Sequence, residues 1–254
     1  MNVILTGLIL ALFAGLSTTI GSAVVFFIKE MKTSYLAFSL AFSTGVMITI
    51  SFIEMLPKGI EAIGYEKAII MFFGGAGIIF LVDYFIPHEY ILEKVSNVKK
   101  QDAKLLKTGL FVGLGLAIHN FPEGFAVFAG NLHSAETGII MAIAIAIHNI
   151  PEGIAVSIPV YFATKKKRKA FFVSFLSGMA EPLGAIIAAL ILLPFLSDSV
   201  IGASLAFVAG IMVFICFDEL LPTAKKYCNG NSHLMIFGLL IGSLVMGATL
   251  VILN

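Results

Sequence analysis

Tryptophan is absent from the 254 residues, cysteine occurs twice, and Asp, Glu, Lys and Arg together make up only 12% of the chain. Each shortage removes a class of explanation. The charged share is about half the roughly 25% of a soluble domain, while hydrophobic residues reach 59%, so the chain reads as an integral membrane protein. Cys216 and Cys228 offer neither a disulfide framework nor zinc-finger spacing, which removes thiols as ligands. Without Trp, interfacial anchoring falls to Tyr35, Tyr65, Tyr84, Tyr90, Tyr161 and Tyr227, all at or just beyond the ends of apolar stretches. No phosphate-binding loop motif is present, and the basic runs sit in short connections between spans, so neither ATP nor nucleic acid is an expected partner.

What remains is long and apolar. Crossing a hydrocarbon core of about 30 Å takes roughly 20 helical residues, and stretches of that length fall near 3–28, 35–56, 67–86, 109–130, 138–162, 170–194, 199–221 and 233–253. They predict an all-α chain of eight transmembrane helices in one polytopic domain spanning 1–254, set in the cytoplasmic (inner) membrane. The first stretch has no basic residue ahead of it, is too long for a signal-peptide core and lacks a clear cleavage site before Lys29, so it is expected to stay as a helix. Lys29 and Lys32, the five lysines from Lys94 to Lys107, the run from Lys165 to Lys169 with Arg168, and Lys225 with Lys226 place 14 of the 16 basic residues in alternate loops. Only Lys58 and Lys67 lie on the other side. Cytoplasmic loops retain Lys and Arg, so both termini are expected to be extracytoplasmic, an asymmetry that the net charge of +1 conceals. The 87–108 loop is the only long polar connection and reads as an interfacial helix or a mobile loop without assigned chemistry.

The chain repeats itself. Gly109 to Val127 and Gly138 to Val156, offset by 29 residues, agree at ten of nineteen positions. A short connection makes the two helices antiparallel. Around this pair, Phe52-Ile53-Glu54-Met55-Leu56-Pro57 parallels Phe217-Asp218-Glu219-Leu220-Leu221-Pro222, Gly15 and Gly21 parallel Gly178 and Gly184, and Phe73-Gly74 parallels Phe237-Gly238, at offsets of 163 to 165. Helices 1 and 6 run in opposite directions, so the trios form inverted repeats and the plan reads 3+2+3, an arrangement that places sites at the repeat interface.

Both copies of the central repeat carry the same polar phrase. His119-Asn120-Phe121-Pro122-Glu123-Gly124 and His148-Asn149-Ile150-Pro151-Glu152-Gly153 each lie about ten residues into an apolar span, about 15 Å deep and near the midplane. Ionisable side chains there cost roughly 2.5 to 3.5 kcal/mol each even on lenient scales, so they have a use. On a helix, His119, Asn120 and Glu123 share a face about 100° wide, as do His148, Asn149 and Glu152, so two facing helices can offer imidazole, amide and carboxylate donors to a common cavity. One or two divalent ions would be held. This donor set suits Zn, Fe(II), Mn, Co and Cd and, lacking thiols, argues against a Cu(I) site. Pro122 and Pro151 each remove a backbone donor, free the carbonyls of Ile118 and Ile147 and predict kinks. Glu181-Pro182 repeats the logic in helix 6 and makes Glu181 a further candidate ligand. Glu54 near the outer mouth, and Asp218 with Glu219 near the inner one, are candidate gate or relay groups. His88, Glu89, His133 and Glu136 read as loop residues.

With these motifs the chain resembles the ZIP family of divalent metal transporters, and within it the bacterial members, over nearly its whole length; the helix 6 stretch from Leu176 to Gly184 adds to the likeness. The resemblance implies a binuclear site, with His119, Glu123, His148 and Glu152 holding one ion, and Asn120, Glu123, Asn149, Glu152 and Glu181 the other. It also implies uptake of zinc, and often iron, manganese, cobalt or cadmium, toward the cytoplasm, a homodimer among membrane lipids, and an elevator-like movement of helices 1, 4, 5 and 6 against 2, 3, 7 and 8. No prosthetic group is implied. Many eukaryotic members carry a histidine-rich loop between helices 3 and 4, where this chain has only His88. An intramembrane metal-dependent hydrolase or oxidase is the alternative; it predicts a fixed site with a substrate pocket, whereas inverted duplication with carboxylates at both mouths fits permeation. A metal sensor is expected to carry a signalling domain or long tail.

Overall fold

The computed structural model describes residues 2–30, 32–85, 100–195 and 197–253. His88, Glu89, Tyr90 and Lys94, with most of the 87–108 connection, lie outside the described residues. Among those described, eight helices are long and apolar enough to span a membrane: α1 (Val3–Phe27), α2 (Thr33–Ile63), α3 (Tyr65–Phe85), α4 (Ala103–His133), α5 (Ala135–Thr164), α6 (Lys167–Ile191), α7 (Asp198–Tyr227) and α8 (Ser232–Leu253). Several run past their expected ends, and helical backbone at the start of α4 already begins at Lys100, inside the connection read as an interfacial helix or a mobile loop. Hydropathy falls where charges begin, but a helix leaving the hydrocarbon loses no hydrogen bonds and continues into the interface. His133 and Glu136 are therefore exposed residues at the ends of α4 and α5 rather than loop residues.

Local chemistry sets the boundaries. The side-chain oxygens of Asn2, Ser134 and Ser197 accept hydrogen bonds from the backbone N–H groups of Ile4, Thr137 and Val200 at 3.0, 3.0 and 3.3 Å, caps worth about 1 kcal/mol each. Gly64, at φ 82°, turns the chain between α2 and α3 in a conformation that a side chain would strain. Three wide π turns, at Ser51–Met55, Ala188–Leu192 and Cys216–Leu220, each end two residues before a proline, Pro57, Pro194 or Pro222. A proline ring cannot sit over the carbonyl four residues back, and the wider turn relieves that clash. The helix over Lys167–Gly178 stops at Met179 and resumes over Ala180–Ile187, just before Pro182. By contrast α4 and α5 pass through Pro122 and Pro151 as continuous helices.

Two packing groups result. In one, α1 and α4 lie along α5, and α6 packs on both α1 and α4; in the other, α2 lies along α8 and α7, and α3 lies along α7. The groups meet chiefly where α2 lies on α5 and α4 lies on α7. Large apolar side chains such as Phe13, Phe73, Phe80, Leu244 and Val251 point outward, while Ser17, Thr18, Ser22, Ser43 and Thr44 are buried, an inversion suited to lipid.

The close approaches come in matched pairs. Gly15 sits against the Gly178 carbonyl and Gly178 against the Gly15 carbonyl. Gly124 meets the carbonyl of Glu181 as Gly153 meets that of Thr18, with Thr18 and Glu181 separated by the same 163 residues as Gly15 and Gly178. Gly45 faces the Leu239 carbonyl as Gly210 faces that of Phe72, and Gly242 faces Phe42 as Gly75 faces Phe207. These contacts relate Gly75 to Gly242, an offset of 167, and not Gly74 to Gly238: Gly74 has no neighbour within 4 Å, whereas Gly238 packs on Phe38. Phe-Gly recurs by chance in apolar sequence, and identity alone misplaces the register by nearly one turn.

Candidate metal-binding site

Seven polar side chains gather where α4, α5 and α6 cross. His119, Asn120, Glu123, Asn149, Glu152 and Glu181 have no exposed surface and His148 has 1%. The pairing runs between helices: His119 Nε2 lies 3.0 Å from Glu152 Oε1, and His148 Nε2 lies 3.4 Å from Glu123 Oε1. The second pair is close enough for charge interaction but not aligned as a hydrogen bond, so both of its atoms lack hydrogen-bond partners. Asn149 Nδ2 donates to Glu181 Oε2 at 2.7 Å and to the Ala14 carbonyl at 3.0 Å, which ties α5 to α6 and α1. Asn120 Nδ2 donates to the Ser177 carbonyl at 3.2 Å. The amide nitrogens are thereby engaged on backbone or carboxylate, and the amide oxygens are left without a hydrogen-bond partner.

Among the described residues eleven buried side-chain oxygen or nitrogen atoms have no hydrogen-bond partner, and eight belong to these seven residues: His119 Nδ1, Asn120 Oδ1, both Glu123 oxygens, His148 Nε2, Asn149 Oδ1, Glu152 Oε2 and Glu181 Oε1. Unpaired buried polar groups cost about 1–3 kcal/mol each, and more when charged. Such a concentration is costly unless something else satisfies it, and the orphans are mostly lone pairs, which a cation satisfies and a hydrogen-bond acceptor cannot. Among the described residues no three His, Cys, Asp or Glu side chains close round one centre; the contacts are pairwise.

A cleft leads inward. It is lined by Glu54, Met55 and Lys58 of α2, Met141 of α5 and Leu250 of α8, and ends at Glu123 and His148. Glu54 is ion-paired with Lys58 one turn on. Asp218 and Glu219 are not part of the central cluster. They lie at the far end of α7 beside Lys107 of α4 and Asp83 of α3, whose side chains form a part-buried ion pair at 2.9 Å, with Thr108 also facing Glu219. In the sequence Lys107 marks orientation alone and Asp83 belongs to no motif; an acid in the last turn of α3 is the available signal. Cys216 and Cys228 are both free thiols.

An all-helical membrane-spanning protein with a buried imidazole–carboxylate–amide centre on crossing helices is thereby defined. Residues 86–250 match the family described as ZIP Zinc transporter. The chain is 49% identical to "Zinc transporter ZupT" of Oceanobacillus iheyensis, with all of both chains covered. It is 50% identical to the protein so named in Lysinibacillus sphaericus, covering 96% of each, and 45% identical to that of Clostridium perfringens, covering 99% of this chain and 97% of the other. The chain belongs to the ZIP zinc transporter family.

Proposed function

We propose that this protein carries divalent transition-metal ions, zinc foremost and iron, manganese, cobalt and cadmium besides, across the cytoplasmic membrane into the cytoplasm. The substrate binds between His119, Asn120 and Glu123 of α4, His148, Asn149 and Glu152 of α5, and Glu181 of α6. The observation that carries the reading is the set of eight unpaired buried atoms on these seven residues. Three carboxylates with two neutral imidazoles total −3, which one divalent ion leaves at −1 and two bring to +1, so the charge admits a binuclear site with Glu123 and Glu152 bridging. The matched glycine contacts support an inverted 3+2+3 repeat with this site on its pseudo-axis.

The cleft enters beside Glu54, at the end of the bundle that the lysine distribution assigns to the outside, so the substrate arrives from there. Inward release requires the group of α1, α4, α5 and α6 to shift against α2, α3, α7 and α8. Contacts that cross between the groups are largely apolar, with Gly115 of α4 against Ile215 of α7 and Phe162 of α5 against Tyr227 of α7, and they include two polar ones: Ser43 Oγ donates to the Pro151 carbonyl at 2.7 Å, and Lys107 pairs with Asp83 at 2.9 Å. Moving two positive charges inward gains about 4.6 kcal/mol per 100 mV of interior-negative potential, so no nucleotide is needed. Glu54 on one side and Asp218 with Glu219 on the other attract and pass on the cation. The hydrolase or oxidase alternative has no observation in its favour, because the full-length relatives are transporters. A homodimer in lipid belongs to the proposal on family resemblance, and native mass spectrometry from nanodiscs reads the chain number.

The test is flux. Purified protein in liposomes loaded with a zinc-sensitive dye should give saturable inward zinc transport that collapses in Glu123→Ala and in Glu152→Ala. Unchanged flux in both variants overturns the site.

A further inference from the structure

Thr18 of α1 stands where Glu181 stands in the repeat, 163 residues away. The Glu181 carbonyl packs on Gly124, beside Glu123; the Thr18 carbonyl packs on Gly153, beside Glu152. Asn149 donates to the carbonyl of Ala14, and Asn120 donates to that of Ser177, again 163 residues on. In these backbone contacts the two halves of the site correspond, and one chemical difference stands out. Asn149 also holds the Glu181 carboxylate, and the residue in the corresponding place for Asn120 is a threonine.

Thr18 is fully buried and its hydroxyl has no hydrogen-bond partner. Hydroxyls on apolar helices ordinarily donate to the carbonyl one turn back, as Ser22, Thr44, Thr49 and Ser51 do here at 2.7–2.8 Å. For Thr18 that acceptor is the Ala14 carbonyl, which Ser17 Oγ, at 2.6 Å, and Asn149 Nδ2 already occupy. The displaced hydroxyl lies against Gly178, next to the Ser177 carbonyl that Asn120 holds, and so on the Asn120 side of the centre.

We propose that the Thr18 hydroxyl oxygen is a further ligand for the transported cation, entering from α1 on the Asn120 side, opposite Glu181. This rests on the reading of the two motifs as the metal site. A neutral oxygen completes the coordination sphere without adding a fourth carboxylate to Glu123, Glu152 and Glu181, whose mutual repulsion already burdens the site. Because α1 packs with α4, α5 and α6, the hydroxyl keeps its place among the other donors when that group moves.

The experiment compares Thr18→Val, which keeps the shape and removes the hydroxyl, with Thr18→Ser, which keeps the hydroxyl, both in the full chain. Zinc affinity is read by calorimetry in detergent, zinc flux in liposomes, and melting temperature with and without zinc. The expected result for Thr18→Val is zinc affinity weaker by about 10-fold, in line with the loss of a metal-site partner. Its zinc-induced rise in melting temperature should be smaller, and its metal-free melting temperature unchanged or higher, because an unpaired buried hydroxyl has been removed. Thr18→Ser should bind within about two-fold of the unaltered protein. A lowered metal-free melting temperature with unchanged zinc affinity makes Thr18 a packing residue and overturns the proposal. If valine prevents folding, Thr18→Ala repeats the comparison with a smaller side chain. Glu123→Ala separates the two failures. If it abolishes zinc binding while Thr18→Val is silent, only the Thr18 assignment falls; if it too is silent, the reading of the central site falls.

Discussion

His119 of α4 reaches across to Glu152 of α5, with 3.0 Å between Nε2 and Oε1, rather than along its own helix to Glu123. Each motif is therefore completed by the other. Helices α4 and α5 are coupled at the site through these crossed pairs, and separating them breaks both at once.

Crossed pairing predicts non-additive losses. His119→Ala and Glu152→Ala should each lower zinc flux by at least about 10-fold, and the double variant should fall well short of the product of the two. Initial rates in liposomes supply the cycle. Independent, multiplying effects would show that the two side chains do not act as a unit.

Close approach at the motif glycines predicts intolerance to one methyl group. A Cβ on Gly124 would run into the Glu181 carbonyl and one on Gly153 into the Thr18 carbonyl, so Gly124→Ala and Gly153→Ala should each cost about 1–3 kcal/mol and reduce flux. Gly74→Ala, with open space around it, should cost nothing measurable. Thermal melting in detergent distinguishes the three. Equal melting temperatures throughout would contradict the packing.

The ion pair between Lys107 and Asp83 joins the two packing groups at the end away from the cleft, with both side chains less than 20% exposed. Removing one partner takes this contact away from the other, part-buried charge. Asp83→Asn and Lys107→Gln should each lower stability by about 1–2 kcal/mol, and the double variant should recover part of the summed loss, as coupled neighbours do. Additive losses would reduce the pair to an incidental surface contact.

Metal binding at carboxylates and imidazoles requires their deprotonated forms, so zinc entry should release protons to solvent. Calorimetry in two buffers of different ionisation enthalpy should give different apparent heats, the slope giving the number released. Identical heats would mean that the donors are already proton-free before zinc arrives. Acidification should weaken binding for the same reason.

Much of this molecule was legible from the chain because local pattern carries it. Eight apolar runs, the lysine asymmetry and the doubled His-Asn-x-Pro-Glu-Gly phrase are properties of short segments, and burial of His119, Glu123, His148 and Glu152 follows from placing ionisable groups deep in apolar helices. Helix ends were less legible. Hydropathy marks the edge of the hydrocarbon and not the last hydrogen bond, which is why α4 reaches back to Lys100.

The amino-acid order alone determined that a polar centre of imidazole, amide and carboxylate side chains would lie inside an eight-helix membrane protein, since spacing along one helix settles which side chains share a face. Only the tertiary structure decided that the imidazoles pair across helices, that Gly75 meets the Phe207 carbonyl as Gly242 meets that of Phe42, and that Thr18 and Glu181 present their carbonyls to the two motif glycines. The reason is geometric. Which residues meet between helices depends on where the helices cross, and those crossings are set by carbonyl-to-glycine contacts between segments far apart in sequence, which no window along the chain contains.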